Sequence, residues 1–187
     1  MRKLINIFFL ILFVSCNGQS RKADLNIEMP EKSALLSEIY EQVEKNERTF
    51  YRVFRKDTLK NKSYSKEFML NQIDNKKDYH YIFLAEYWMV FNYEEMIREL
   101  IERLTDNREI GLENTSDLII MERIESGDLE FYGHGGVAQD DLFKVSGRAN
   151  HLLKRITGKD FGNVMMKTKP AELTEIQNKW VEWLGTL

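Results

Sequence analysis

Cysteine and proline are both scarce in this sequence. The chain of 187 residues has one cysteine, Cys16, and two prolines. A single cysteine cannot form an internal disulfide, and it cannot build a zinc site from several thiolates. The fold must therefore be stabilised by a buried apolar core. The scarcity of proline is compatible with long, uninterrupted helices.

A large excess of either charge is missing as well. Lysine and arginine total 27 and aspartate and glutamate total 30, which gives a formal net charge of −3. Nucleic-acid binding depends on basic surfaces that neutralise phosphates, so we predict no nucleic-acid partner. Residues 45–77 are richer in lysine and arginine, but the acidic residues among them favour a solvated helical face.

Motifs that specify a reaction are also absent. The sequence contains no HExxH, CxxC, P-loop or GxGxxG pattern. The His-Gly-Gly stretch at residues 134–136 is similar to the oxyanion loop of some lipases, but no Gly-x-Ser-x-Gly elbow supplies a nucleophile. We therefore predict no cofactor, no metal site and no small-molecule substrate.

No apolar run near the N-terminus is long enough to span a bilayer. A transmembrane helix needs roughly 20 apolar residues, whereas the run behind Arg2 and Lys3 extends only from Leu4 to Val14. A positive start followed by a short apolar segment is typical of a secretory signal peptide. A buried apolar helix, or a plain cleaved signal with a chance cysteine, remains an alternative.

The stretch Leu12-Phe13-Val14-Ser15-Cys16 resembles the lipobox of bacterial lipoproteins. The resemblance implies that the Cys16 thiol is acylated and that Cys16 becomes the mature N-terminus. It also implies a location in the bacterial cell envelope, anchored to the inner or the outer membrane. Because no acidic run follows Cys16, we expect the protein to face the periplasm.

The chain divides into three predicted regions. Residues 1–15 are the signal peptide, residues 16–31 are a polar, flexible tether, and residues 32–187 are a single helical domain. The length of this last region fits one domain of roughly 100 to 200 residues.

Within the domain, apolar residues recur at steps of three and four, which is the spacing of amphipathic helices. No stretch shows the alternation of a half-buried strand. We predict an all-α fold of six to seven helices, arranged as a HEAT-like or irregular array. The predicted helices cover about residues 33–55, 64–73, 79–91, 92–104, 116–125, 139–157 and 170–184, with Asn92 and Glu95 as a capping box.

The run from Leu152 to Gly162, which includes Ile156-Thr157-Gly158 and Asp160-Phe161-Gly162, is followed by Trp180 and Trp183. It resembles the closing segment of bacterial HEAT-repeat-like proteins over the C-terminal half of the chain. The resemblance implies stacked helices and a role in protein binding, although a fold by itself does not specify a function.

One loop combines residues that could carry chemistry. His134 lies between glycines, and Asp140 and Asp141 follow it closely. A histidine near two carboxylates could act as a general base or as a metal ligand. The structural interpretation is that the glycines allow a turn while Asp140 and Asp141 begin a helix.

Three further residues have structural interpretations by default. Arg148 is expected to form a salt bridge with Asp140, Asp141 or Asp117, and anion binding is its alternative role. His80 and His151 are expected to be packed or surface histidines.

Together these features favour a lipid-anchored envelope protein whose helical domain binds another protein without catalysis. An immunity, inhibitor or assembly-factor role would fit. The alternative is an envelope hydrolase or metal-dependent enzyme that uses His134 with Asp140 and Asp141.

Overall fold

A computed structural model describes residues 25–54, 63–77, 79–113 and 140–187. Within these ranges the chain forms six α-helices, and Glu109 and Lys144 form an isolated antiparallel bridge. The predicted all-α fold is confirmed. The helices are α1 (Lys32–Phe54), α2 (Lys66–Asn75), α3 (Tyr79–Phe91), α4 (Tyr93–Arg103), α5 (Val145–Thr157) and α6 (Pro170–Gly185). The predicted helix at residues 116–125 lies outside the described residues.

Helix α5 is the centre of the fold. It packs against α1, α2, α3 and α4, and α6 packs against α4. Leu152, Leu153 and Ile156 of α5 are fully buried, and they belong to the same core as Trp180 of α6. Because residues 145–150 are all buried, the first turns of α5 have no solvent-facing side. The polar side chains of these turns therefore need partners inside the protein.

Helix α3 has the predicted bounds and is buried along residues 85–90. The predicted capping box after it is wrong, because the Asn92 side chain donates to the Trp88 carbonyl instead of accepting from an amide of α4. Gly158 ends α5 with a φ of 69°, in the left-handed region that favours glycine, as its predicted position requires.

The predicted start of α5 at residue 139 or 140 is also wrong, since the helix begins at Val145. The preceding residues form a turn, in which the Lys144 amide donates to the Asp141 carbonyl. The Val145 amide donates to the Arg108 carbonyl across the loop that follows α4. Loop contacts thus satisfy backbone groups that a longer helix would have satisfied.

A largely buried ion pair connects α4 to α2. The Arg103 guanidinium donates to both oxygens of Asp74, at 2.9 and 3.0 Å, and also to the Glu99 carboxylate. Burial disfavours the charged guanidinium, but the hydrogen bonds and charges of Asp74 and Glu99 outweigh it and raise the pKa of Arg103. The two-pronged geometry fixes the relative position of the helices as well as neutralising the charge.

Candidate functional site

The predicted site residues fall on both sides of the boundary of the described structure. Asp140 and Asp141 lie in the turn before α5. His134 and Cys16 lie outside the described residues, so the predicted pairing of His134 with the two carboxylates and the lipidation of Cys16 stay predictions. Of the predicted catalytic residues, the described structure therefore contains only the two acidic ones.

The Asp140 carboxylate points into the protein and is 1% exposed. Its Oδ1 accepts hydrogen bonds from Asn150 Nδ2 and from the Val164 amide, both at 2.8 Å. Within the described residues, Oδ2 has no hydrogen-bond donor, but the Lys154 ammonium lies 3.3 Å away. A buried carboxylate without a cation would be costly. Lys154 therefore neutralises the Asp140 carboxylate, and the two hydrogen bonds to Oδ1 fix its position.

Asn150 extends this network to the last helix. Its Nδ2 also donates to the Gly162 carbonyl at 2.8 Å, and its Oδ1 accepts from the indole Nε1 of Trp180 at 3.1 Å. Both Asn150 and Trp180 are fully buried. The side chain of Asn150 thus connects three segments that are distant in sequence.

The C-terminal residues of the HEAT-like resemblance surround this network. Asp160 accepts from the Gly162 amide, which forms a local turn. The rings of Phe161 and Trp183 meet the Trp180 ring edge to face, at centroid distances of 4.7 and 5.7 Å. These residues act structurally here, because their contacts close the loop after α5 onto α6.

Asp141 has different partners from Asp140. Its Oδ1 accepts from the Phe143 amide, and its Oδ2 lies 3.8 Å from the Lys144 ammonium. Its backbone carbonyl approaches Gly147 so closely that a Cβ at that residue would lie 1.9 Å from the oxygen. Gly147 is therefore required by the close approach of the loop that crosses the first turn of α5.

Arg148 is fully buried beside these residues, and the predicted salt bridge to Asp140 or Asp141 is wrong. Its guanidinium donates to the backbone carbonyls of Leu142, Ile73, Lys76 and Gly111, at 2.7 to 2.8 Å. Asp117 lies outside the described residues. Burial lowers the pKa of Arg148 to about 10, which leaves it charged at neutral pH.

Arg148 therefore joins four stretches of backbone around one cation. The carbonyls belong to the end of α2, to the loop that follows it, to the loop after α4 and to the turn before α5. A guanidinium has five N–H donors in a fixed plane, so a single side chain can satisfy several carbonyls at once. With its donors directed at protein carbonyls, Arg148 is a structural residue.

A second buried carboxylate, Glu86 of α3, was not identified from the sequence. Its side chain is 4% exposed, accepts from Arg155 Nε at 2.8 Å and lies 3.9 Å from Nε2 of His151. His151 is thus partly buried against an acidic residue. The side chain of His80 lies outside the described residues. A glutamate in an aromatic segment was the available signal, since such a buried charge requires a partner.

Among the described residues, neither the Asp140 cluster nor the Glu86 cluster has the composition of a metal site. No group of three potential metal ligands occurs within residues 25–54, 63–77, 79–113 and 140–187. Lysine and arginine neutralise the carboxylates instead. In the same ranges, no helix has both the length and the apolar character needed to cross a bilayer.

Comparison with known proteins found no matching family model, no matching curated protein and no matching solved structure. The resemblances to lipoproteins and to HEAT-repeat-like proteins stay predictions from the residues themselves.

Proposed function

We propose that this protein is a lipid-anchored component of the bacterial cell envelope, and that its helical domain binds another protein without catalysing a reaction. The lipobox-like stretch that ends at Cys16 supports the anchor and the location. The lack of an acidic run after Cys16 supports a periplasmic face.

The burial of Asp140 is the main observation that supports a function without catalysis. A general base must reach a proton on a substrate, directly or through one water. The Asp140 carboxylate is instead 1% exposed, its Oδ1 accepts from Asn150 and from the Val164 amide, and the Lys154 ammonium lies 3.3 Å from its Oδ2. The alternative, a hydrolase or metal-dependent enzyme, would have to use His134 without this carboxylate.

The exposed side of α1 supports protein binding. Tyr40 is 57% exposed, and Leu36 and Val43 lie one turn on either side of it, partly buried against the core. Residues spaced by three and four share one face of a helix. An exposed tyrosine with apolar neighbours resembles the central anchors of protein interfaces. We therefore place the partner on the face of α1 that carries Leu36, Tyr40 and Val43.

Site-specific photocrosslinking in intact cells tests this assignment. A photoreactive residue replaces Tyr40 in the full chain, and a second variant carries it at Asn178, which is exposed on α6. We expect one defined protein adduct from position 40 and none from position 178. Equal adducts at both positions, or none at position 40, would contradict a partner on α1.

The alternative function, a hydrolase or metal-dependent enzyme that uses His134, requires a separate measurement. Purified protein is assayed for hydrolysis of esters, amides and phosphoesters, with His134→Ala as the matched variant and circular dichroism as the folding control. Hydrolysis that disappears in the His134→Ala variant with its fold intact would overturn the non-catalytic proposal.

A further inference from the structure

An exposed turn near the end of the chain carries two methionines. The Thr168 amide donates to the Met165 carbonyl at 3.0 Å, and the Met165 amide donates to Oγ1 of Thr168 at 2.7 Å. These bonds close a tight turn with Met166 and Lys167 at its corner. Met165 is 56% exposed and Met166 is 75% exposed. The turn therefore projects apolar side chains into solvent.

A third exposed apolar residue comes from a neighbouring segment. The Asp141 amide donates to the Val164 carbonyl at 2.6 Å, and the Lys144 ammonium donates to the Met166 carbonyl at 2.7 Å. These bonds hold the turn before α5 alongside residues 164–166. Phe143, within the first of these segments, is 42% exposed. We call Phe143, Met165 and Met166 the apolar patch.

Two basic residues lie next to the methionines of the apolar patch in the chain. Lys167 lies in the methionine turn, Lys169 follows it, and both are exposed. Of the nearby carboxylates, Asp141 lies 3.8 Å from the Lys144 ammonium, and Glu172 accepts from the Lys169 amide and keeps its negative charge. The pattern of apolar side chains beside exposed lysines is typical of surfaces that bind anionic lipid.

The length of the tether limits how far the domain can lie from the bilayer that holds its anchor. Leu25, the first described residue, follows Cys16 by nine residues. A fully extended chain spans at most about 3.3 to 3.6 Å per residue. The tether therefore keeps Leu25 within roughly 30 Å of an acylated Cys16. The bilayer that holds the anchor is therefore present at a high effective concentration beside the domain.

We propose that the apolar patch inserts into the interface of an anionic bilayer and orients the anchored domain on it. Methionine side chains are flexible and adapt to irregular surroundings such as the acyl boundary. Lys167 and Lys169 then meet lipid phosphates. The proposal rests on the lipid anchor of the proposed function.

Fluorescence of the lipidated protein in vesicles of pure lipid tests the contact. Met166→Cys is labelled at the new thiol with a polarity-sensitive dye, since acylation occupies Cys16, and Asn178→Cys on α6 is the matched control. Vesicles contain phosphatidylcholine with or without phosphatidylglycerol. With the anionic lipid, the dye at position 166 should emit at shorter wavelength and be quenched by spin-labelled lipid. The dye at position 178 should report water.

Each other outcome is decisive. Retention of both variants on the vesicles, with the dye at position 166 in water, overturns the contact but leaves the anchor intact. Loss of both variants from the vesicles overturns the anchor and the contact together. A response only in native membranes would indicate a protein instead of lipid. An equal response in both kinds of vesicle would overturn the requirement for anionic lipid.

The charge dependence gives a second measurement. Neutralising Lys167 and Lys169 to glutamine in the labelled protein should lower the ratio of inserted to uninserted domain by roughly fivefold for each lysine. Both side chains are exposed, so the fold should be unaffected. An unchanged ratio with an unchanged circular dichroism spectrum would contradict the role of the lysines.

Discussion

The indole nitrogen of Trp180 donates a hydrogen bond to the Asn150 side chain at 3.1 Å, across 30 residues of sequence. Nδ2 of the same Asn150 side chain donates to Asp140 and to the Gly162 carbonyl. A candidate reactive residue is thereby part of the interior of the domain. Its surroundings make Asp140 a stability determinant.

Asn150→Ala should therefore be strongly destabilising. It removes one acceptor and two donated bonds, and leaves the Trp180 N–H buried without a partner. Each unsatisfied buried group costs about 1 to 3 kcal/mol, so we expect a loss of roughly 3 kcal/mol or more in the free energy of unfolding, measured by urea denaturation. Asn178→Ala, on the exposed side of α6, is the control. A similar small effect for both variants would contradict the network.

Arg148→Met should destabilise the domain more than any surface substitution. The variant leaves four carbonyl groups without their donor, and bonds to charged groups contribute about 1.5 to 3 kcal/mol each. We expect a loss of more than about 3 kcal/mol, or failure to fold. Arg108→Met is the control, since Arg108 is half exposed and pairs only with Asp106 among the described residues. Arg148→Lys should recover only part of the loss, because an ammonium cannot reproduce the planar fork.

Gly147→Ala tests the close approach of the loop to α5. The added Cβ would lie 1.9 Å from the Asp141 carbonyl oxygen, so the loop or the helix must shift. Overpacking of this kind costs about 1 to 3 kcal/mol. Gly185→Ala, where nothing lies within 4 Å of the new Cβ, should be neutral or slightly stabilising. Thermal denaturation of the two variants side by side distinguishes the crowded position from the open one.

Acid should weaken the junction between α2 and α4. Burial opposes ionisation of Glu99, but hydrogen bonds from Arg103 and Lys66 outweigh it and lower the pKa of Glu99. A carboxyl with a folded pKa below its unfolded value of about 4.3 stabilises the protein above that pH, and its contribution is lost as the pH falls through the folded pKa. Urea denaturation at pH 7 and pH 3 should show a smaller loss for Glu99→Gln than for the native chain. Equal losses would contradict this role for Glu99.

Cys16→Ala tests the lipid anchor directly. Without the thiol, the predicted acylation cannot occur, and we expect the protein to leave the membrane fraction for the soluble fraction of cells. Metabolic labelling with a palmitate analogue should mark the native chain and not the variant. Unchanged membrane retention together with absent labelling of the native chain would count against the lipobox.

The sequence by itself determined the fold class and most of the helices. Helix periodicity depends on residues three and four apart, so the bounds of α3 and the glycine end of α5 could be read locally. The start of α5 could not, because Phe143 and Val145 make backbone bonds to the loop after α4. The signal-peptide and lipobox predictions also rest on short stretches of sequence. The residues that carry them lie outside the described structure.

The tertiary structure alone decided the roles of the polar residues. Asp140 and Arg148 differ in nothing visible along the chain from residues on a solvated surface, and the aromatic segment around Glu86 indicates burial but not its partner. Arg148 bonds to Ile73, 75 residues away, and Glu86 pairs with Arg155, 69 residues away. Whether a charged side chain performs chemistry or satisfies the interior depends on which distant groups folding brings to it, and local sequence patterns do not contain that information.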